Sequence, residues 1–112
     1  MDTEKKDVFN RFLQDSLIKS SDLPSAGITP EQKAALNRKG NELFNRGDIE
    51  TAKRIFKTTG YSDGLTRVGE ALEEKGKSIE ALQLYWLAHN KRKSDPLVQK
   101  LAYLIRSILT GM

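Results

Sequence analysis

The chain has 112 residues, a formal net charge of +4, a hydrophobic fraction of 38% and a charged fraction of 30%. These values fit one small folded domain with an appended segment, and the many periodically placed Leu and Ile exclude a fully disordered chain. Because Cys is absent, a disulfide framework, a thiolate nucleophile and a cysteine metal site are excluded.

The sequence contains no segment with the pattern of a signal peptide or of a membrane-spanning helix. Its N-terminus, MDTEKKDVF, carries acidic residues and lacks an apolar stretch, so we expect no signal peptide. The longest apolar run, LQLYWLA from Leu82 to Ala88, is far too short to span a bilayer. We therefore expect a cytoplasmic protein without a membrane span.

The first part of the chain divides into a helix and a linker. Apolar residues at three- and four-residue steps predict an amphipathic helix from about Thr3 to Ile18. The stretch SSDLPSAGITPEQ then interrupts the pattern with Ser, Pro and Gly and predicts a linker. We expect an N-terminal helix and linker over residues 1–29, and a helical domain over residues 30–112.

Five more helices are predicted in that domain from apolar periodicity and from residues typical of helix ends. The predicted N-caps are Thr29 (in a capping box with Gln32), Asp48, Ser62, Ser78 and either Ser94 or Asp95, with Pro96 in the first turn of the last helix. The predicted stops are Gly47, Gly60, Gly76 and Gly111. The fourth of these helices, IEALQLYWLAHNK, is apolar on almost every side, so we place Trp86 in the core. No stretch alternates like a strand, and the predicted class is all-α.

An offset of 29 residues aligns the chain with itself. Between residues 36–56 and 65–85 the identical pairs are Leu36/Leu65, Arg38/Arg67, Gly40/Gly69, Leu43/Leu72, Gly47/Gly76 and Ala52/Ala81. Gly in mid-helix costs about 1 kcal/mol relative to Ala, which is tolerable where a neighbouring helix must approach closely. The alanines would be the small residues on that neighbour, with Phe56 and Tyr85 filling the space one turn further on. The unit is predicted to be an antiparallel helix pair that occurs twice.

The stretch KGNELFNRGDIETAKRIF resembles the tetratricopeptide repeat (TPR) family, and VGEALEEKGKSIEALQLYWLA resembles it more weakly. The resemblance implies two right-handed TPR-like helical hairpins, preceded by the N-terminal helix and closed by the C-terminal helix LVQKLAYLIRSIL as a cap. The offset is shorter than the roughly 34 residues usual in that family, which implies a shortened exit turn at TTGYSD.

The resemblance also implies a non-enzymatic adaptor that binds a peptide or a helix of another protein. In that family the first helix of each repeat lines a concave groove, and the corresponding positions here are Asn37, Asn41, Phe44, Asn45, Thr66, Arg67, Glu70, Glu73 and Glu74. Asn side chains can bond a peptide backbone in both directions, Arg67 can hold a carboxylate, and the three Glu residues would attract basic groups. The alternative is that these residues are ordinary solvated surface. The clamp for chaperone C-termini requires a lysine where Asn37 stands, so we do not expect it.

Catalysis and metal binding have little support in the sequence. His89 is the only histidine, so a histidine cluster is excluded, and its place near a predicted helix end suits a cation. The GKS at Gly76 lacks the glycine spacing of a phosphate loop. Glu73 and Glu74 are neighbours that point different ways on a helix. We expect no enzymatic activity, no cofactor and no metal site.

A basic face offers a different candidate site, formed by Lys91, Arg92, Lys93 and Lys100. Nucleic acid bound there would be held by phosphate neutralisation and would be sensitive to salt. No exposed aromatic residues are expected between these cations for base stacking, and cations are also favoured at a solvated helix C-terminus. We therefore do not expect nucleic acid. Assembly into a homo-oligomer through the N-terminal or C-terminal helix remains open.

Overall fold

The computed structural model describes residues 27–111, which form five helices and contain no strand. The helices are α1 (Pro30–Asn45), α2 (Ile49–Thr59), α3 (Ser62–Glu74), α4 (Ser78–Leu87) and α5 (Lys91–Thr110). The predicted all-α class is confirmed over this part of the chain. The helix predicted from Thr3 to Ile18 and most of the linker lie outside the described residues.

The helices pack in chain order, and each one contacts the next. Helices α1 and α2 form one hairpin, α3 and α4 form a second, and α2 packs on α3 to join the two. Helix α5 packs on α4, while α1 also reaches α3 directly. The helices therefore form a stack with the core in its middle. Helices α1, α3 and α5 occupy every second position in this stack.

Three helix ends share one turn geometry. Gly47, Gly76 and His89 follow α1, α3 and α4 with left-handed φ values of 93°, 78° and 56°. In each turn the amides of this residue and of the next one donate to carbonyls of the preceding helix, which is the Schellman arrangement. Gly adopts this backbone without a Cβ penalty, whereas His89 adopts it as a residue with a side chain. The predicted stops at Gly47 and Gly76 are confirmed.

Of the first four predicted N-caps, two are correct and two are wrong. The Thr29 capping box forms with Gln32, and the Asp48 carboxylate accepts from the Thr51 amide at 3.2 Å. Ser62 and Ser78 do not cap; they are the first residues of α3 and α4. The preceding residues, Tyr61 and Lys77, take the cap positions without a side-chain hydrogen bond. Each of these helices follows a tight turn whose backbone amides already donate to carbonyls of the previous helix. The turn therefore fixes the cap one residue before the predicted serine.

The junction between α4 and α5 also differs from the prediction. Helix α4 ends at Leu87, and α5 begins at Lys91 rather than after Ser94 or Asp95. Asn90 caps α5, because its side-chain oxygen accepts from the Lys93 amide at 3.2 Å. Pro96 consequently lies inside α5 and not in its first turn, where a proline costs less.

The two hairpins place aromatic rings directly on glycine backbones. Phe56 and Tyr85 are fully buried, as are the predicted small residues Ala52 and Ala81. A β-carbon on Gly40 would lie 2.6 Å from Cε1 of Phe56. The close approach is confirmed, but the ring occupies the glycine position itself and does not lie one turn further on.

Helix α4 is less uniformly buried than its composition suggests. Trp86 is partly buried and packs against the edge of the core, so its predicted place in the core is only partly correct. Ile79, in the first turn of α4, is 49% exposed. The buried side of α4 carries Leu82, Leu84 and Tyr85.

Candidate functional site

The predicted groove residues lie on α1 and α3, and α5 adds a third helix beside them. We call this surface the α1–α3–α5 face and define it by Asn41, Arg67, Glu70, Glu73 and Lys93. Each of these five side chains has a contact to another helix. The face is therefore a connected polar surface and not a set of independent solvated residues.

Arg67 joins α3 to α1. Its guanidinium lies 5.2 Å from the centre of the Phe44 ring, and its Nη2 donates to Oδ1 of Asn41. A cation over an aromatic ring contributes about 0.5–1 kcal/mol at exposed sites and more when desolvated. The Nε of Arg67 is buried and has no hydrogen-bond partner within the described residues. The guanidinium is thus fixed in orientation while part of its donor capacity is unused.

Two polar contacts join α3 to the start of α5. Lys93 Nζ lies 2.8 Å from Oε2 of Glu70, with both side chains more than one-third exposed. Asn90 Nδ2 donates to Oγ1 of Thr66 at 3.2 Å. Since Asn90 also caps α5, this residue positions the first turn of α5 against α3.

Glu73 contacts the core of the second hairpin. The Tyr85 hydroxyl donates to Oε1 of Glu73 at 2.6 Å. Burial raises the pKa of Tyr85 well above its usual value, and the hydrogen bond to Glu73 and the negative charges of Glu73 and Glu70 raise this pKa further. Tyr85 therefore stays protonated, and the carboxylate of Glu73 is held at the surface above a buried ring.

A shallow depression of about 500 Å³ lies between α3 and α5. Its lining residues are Glu70, Glu73, Glu74 and Lys93. It is bordered by a second depression that adds Arg92, Pro96 and Leu97 of α5. Carboxylates of α3 and cations of α5 make the lining of this depression charged rather than apolar.

Two of the predicted groove residues lie apart from this cluster. Oδ1 of Asn37 accepts from the Thr59 hydroxyl at 2.6 Å, so Asn37 takes part in the contact between α1 and α2. Asn45 is exposed at the end of α1. The remaining predicted groove positions lie on α1 and α3, on or beside the α1–α3–α5 face. They are Asn41, Phe44, Thr66, Arg67, Glu70, Glu73 and Glu74.

The basic residues occupy a different position from the one predicted. Lys91, Arg92 and Lys93 form the first turn of α5, so their interpretation as a helix C-terminus is wrong. Cations in a first turn are opposed by the helix dipole and are not explained by it. Lys93 pairs with Glu70, and Lys91, Arg92 and Lys100 are exposed. Of the predicted basic face, Lys93 belongs to the α1–α3–α5 face and Arg92 lines the depression beside it.

Tyr103 is a surface residue that the sequence reasoning missed. It is 69% exposed and follows Lys100 by three residues, so one exposed aromatic residue lies beside the predicted basic face, although none lies between its four cations. Lys93, Lys100 and Tyr103 are seven and three residues apart, and this spacing puts them on one side of α5. The same spacing is visible in the sequence.

The chain is similar to a protein of Treponema pallidum (strain Nichols) that carries only the description "uncharacterized protein". The two are 39% identical over 92 residues, which cover 82% of this chain and 88% of the relative. The chain belongs to the same family as this treponemal protein. No family model matches the sequence, and no solved structure matches it.

Two further observations bear on the kind of site this family member offers. Within residues 27–111, no group of three or more His, Asp or Glu side chains is placed to hold a metal ion. The helices in that range are also too short or too polar for any of them to cross a membrane.

Proposed function

We propose that the chain is a non-enzymatic, TPR-like adaptor of the cytoplasm that binds a peptide or a helix of another protein on the α1–α3–α5 face. The matching hairpins support this proposal, because Phe56 lies on Gly40 as Tyr85 lies on Gly69. The alternate placement of α1, α3 and α5 supports it too, since first helices side by side are what a TPR-like groove requires.

The observation that carries the proposal is the order of charges across the face. On α3, Arg67 lies on the side next to α1, and Glu70 and Glu73 lie in the middle of the face. Arg92 and Lys93, on α5, form its other side. A peptide lying across the helices meets positive, negative and positive charge in turn. This order selects a partner with carboxylates at the two ends of the contact and a basic residue between them.

The ion pair within the face does not prevent such binding. Glu70 and Lys93 are both solvent-exposed in part, and an exposed pair of this kind contributes about 0–1 kcal/mol. A partner charge can therefore replace either member at small cost. Asn41, which is partly buried, adds an amide nitrogen that can donate to a peptide backbone.

Nucleic acid is a weaker candidate for this face. Phosphates attracted by Arg92 and Lys93 would also approach the carboxylates of Glu70, Glu73 and Glu74, which line the same two depressions. This mixture of charges lowers the attraction that non-specific nucleic-acid binding depends on.

The proposal is tested by selecting peptides and then reversing one charge. Peptides are selected from a random displayed library on the immobilised full chain, and their affinities are measured by fluorescence anisotropy. Glu74 lines the depression between Glu70, Glu73 and Lys93, so Glu74→Lys reverses a charge beside the face. We expect this variant to weaken the selected peptides by about fivefold or more, since one favourable pair of about 1 kcal/mol becomes repulsive. Glu80→Lys is the matched control, because Glu80 is an exposed glutamate on α4, outside the face.

Capture from a native lysate provides the second test, at low and moderate salt and with or without nuclease. A protein that survives nuclease, is lost with Glu74→Lys and is retained with Glu80→Lys supports the adaptor. Capture that disappears with nuclease, or peptide binding equal in all three chains, would contradict it.

A further inference from the structure

Pro96 interrupts the hydrogen-bond pattern of α5. In an α-helix the carbonyl of each residue accepts from the amide of the fourth residue after it, and proline has no amide hydrogen. The carbonyl of Arg92, four residues before Pro96, therefore lacks its usual helical donor. The proline ring also crowds this carbonyl, because the two groups meet one turn apart on the same side of the helix.

The missing hydrogen bond lies on the solvent side of α5. Arg92 and Pro96 are exposed, whereas the core side of the same stretch carries the buried residues Ser94, Leu97 and Val98. Carbonyls on the solvent side of a helix tilt outward toward water. A proline inside a helix lowers its stability, and core packing gives no reason for one at an exposed position. The carbonyl of Arg92 is thus an acceptor on the exposed side of α5.

A depression of about 410 Å³ covers this position. Glu73 of α3 lines one side of it, and the lining on α5 consists of Arg92, Lys93, Pro96 and Leu97. In a helix, residues at positions i, i+1, i+4 and i+5 surround the place where the carbonyl of residue i meets the amide of residue i+4. The carbonyl without a helical donor therefore lies among the residues that line this depression.

We propose that the carbonyl of Arg92 accepts a hydrogen bond from a main-chain N–H of the partner, which is therefore an extended peptide segment. This rests on the proposed function and decides between its two kinds of partner. Inside a helix every amide after the first turn is already bonded to the helix itself, so only an extended segment presents free N–H groups along its length. A cationic side chain is disfavoured as the donor, because Arg92 and Lys93 line the same depression.

The charges around the carbonyl fit such a segment. The side chains of Arg92 and Lys93 can hold a carboxylate of the partner at the α5 end of the contact. Glu73 retains acceptor capacity besides its bond to Tyr85, because a carboxylate has about four acceptor positions. Successive N–H groups of an extended chain point to opposite sides, so one N–H can reach Arg92 while the next points toward Glu73.

Restoring the amide tests the carbonyl directly. Pro96→Ala gives Arg92 its helical donor, so we expect the urea midpoint of the full chain to rise. Its affinity for the peptides selected on the parent chain should fall roughly threefold to tenfold, the range for one hydrogen bond. Pro30→Ala is the matched control, since Pro30 lies at the start of α1, where an amide has no helical acceptor. Pro30→Ala should leave the affinity unchanged, and an unchanged affinity in Pro96→Ala would overturn the inference.

Ester substitution in the peptide separates the hydrogen bond from any contact with the proline ring. In synthetic copies of the tightest selected peptide, each main-chain N–H in turn is replaced by an ester oxygen, and affinities are measured by fluorescence anisotropy. One ester should weaken binding to the parent chain roughly threefold to tenfold, and binding to Pro96→Ala by less than about twofold. Equal losses in the two chains at every position would overturn the inference, as would a peptide in which no ester weakens binding.

Glu74→Lys separates this inference from the proposed function. If Glu74→Lys weakens the selected peptides while Pro96→Ala does not, the adaptor stands and the partner's main chain does not bond to Arg92. If no peptide can be selected on the full chain, the proposed function and this inference both fail.

Discussion

The ring of Tyr85 packs directly on the backbone of Gly69: a β-carbon on Gly69 would lie 2.6 Å from Cε1 of Tyr85. Tyr85 is fully buried and its hydroxyl is bonded to Glu73, so the ring is held at both ends. Phe56 and Gly40 repeat this contact in the first hairpin. The separation of the two helices in each hairpin is therefore set by an aromatic ring against a bare backbone.

Gly69→Ala should destabilise the protein despite its better helix propensity. Ala gains about 1 kcal/mol of propensity, while overpacking a filled site typically costs 1–3 kcal/mol. Because the buried ring is held by its hydrogen bond to Glu73, we expect a net loss of up to about 2 kcal/mol in the free energy of unfolding, measured by urea denaturation. Adding Tyr85→Leu removes the clash, so the double variant should lose less than the sum of the single losses. Additive losses would show that the ring does not set the helix separation.

The sequence was sufficient for the features that depend on local chemistry or on a repeated pattern. The turns at Gly47 and Gly76 follow from glycine's access to left-handed angles, and the Thr29 cap follows from its capping box. The close approach at Gly40 was visible because a mid-helix glycine recurs at Gly69. Each of these features depends on a residue type at a fixed offset, which a single sequence displays directly.

The features that could not be predicted from the sequence depend on competition between neighbouring turns. Ser62 and Ser78 are good capping residues, but the preceding turns already fix the chain one residue earlier. Asn90 takes the cap of α5 because the turn at His89 leads straight into it, and Pro96 is then carried into the helix. How much of the length of α5 is covered also depends on the length of α4, and periodicity alone cannot decide that.

His89→Gly should stabilise the protein, whereas Gly76→Ala should destabilise it. Both residues hold the left-handed position of the same turn, with φ values of 56° and 78°. A residue with a Cβ pays about 1 kcal/mol there, which His89→Gly removes and Gly76→Ala introduces. The thermal midpoint should rise in the first variant and fall in the second. A fall in both would show that the His89 side chain makes a contact worth more than its backbone strain.

Tyr85 should make stability fall steeply at high pH. Its hydroxyl has a raised pKa in the folded chain, from burial first and then from the hydrogen bond to Glu73, but ionises near pH 10 in the unfolded chain. Above about pH 10 the unfolded chain therefore binds fewer protons than the folded one, and the free energy of unfolding decreases as pH rises.

Tyr85→Phe isolates this effect from the titration of the lysines and other tyrosines. The variant should be less stable by about 1 kcal/mol at pH 7, because it loses the bond to Glu73. Its free energy of unfolding should fall less than that of the parent between pH 9.5 and 11, by up to about 1.4 kcal/mol per pH unit. Parallel curves for the two chains would mean that Tyr85 ionises normally in the folded state.

Asn90 connects the cap of α5 to α3, and its replacement should show how strongly that junction depends on it. Its oxygen accepts from the Lys93 amide and its nitrogen donates to Thr66. Asn90→Ala removes both bonds and should cost about 1–2 kcal/mol in urea denaturation. Thr66→Val, which removes only the second bond, should cost less than Asn90→Ala.

Asn90→Asp separates capping from charge. A carboxylate caps as well as an amide does, and the Thr66 hydroxyl can rotate to donate to it, so both hydrogen bonds can persist. The new negative charge also lies beside Lys91, Arg92 and Lys93 in the first turn of α5, where the helix dipole favours an anion. We therefore expect Asn90→Asp to match or exceed the parent in stability by up to about 1 kcal/mol at low salt. This advantage should shrink in 1 M NaCl, where the Debye length is about 3 Å. A loss as large as that of Asn90→Ala at every salt concentration would mean that the amide nitrogen, and not the cap, holds α5 against α3.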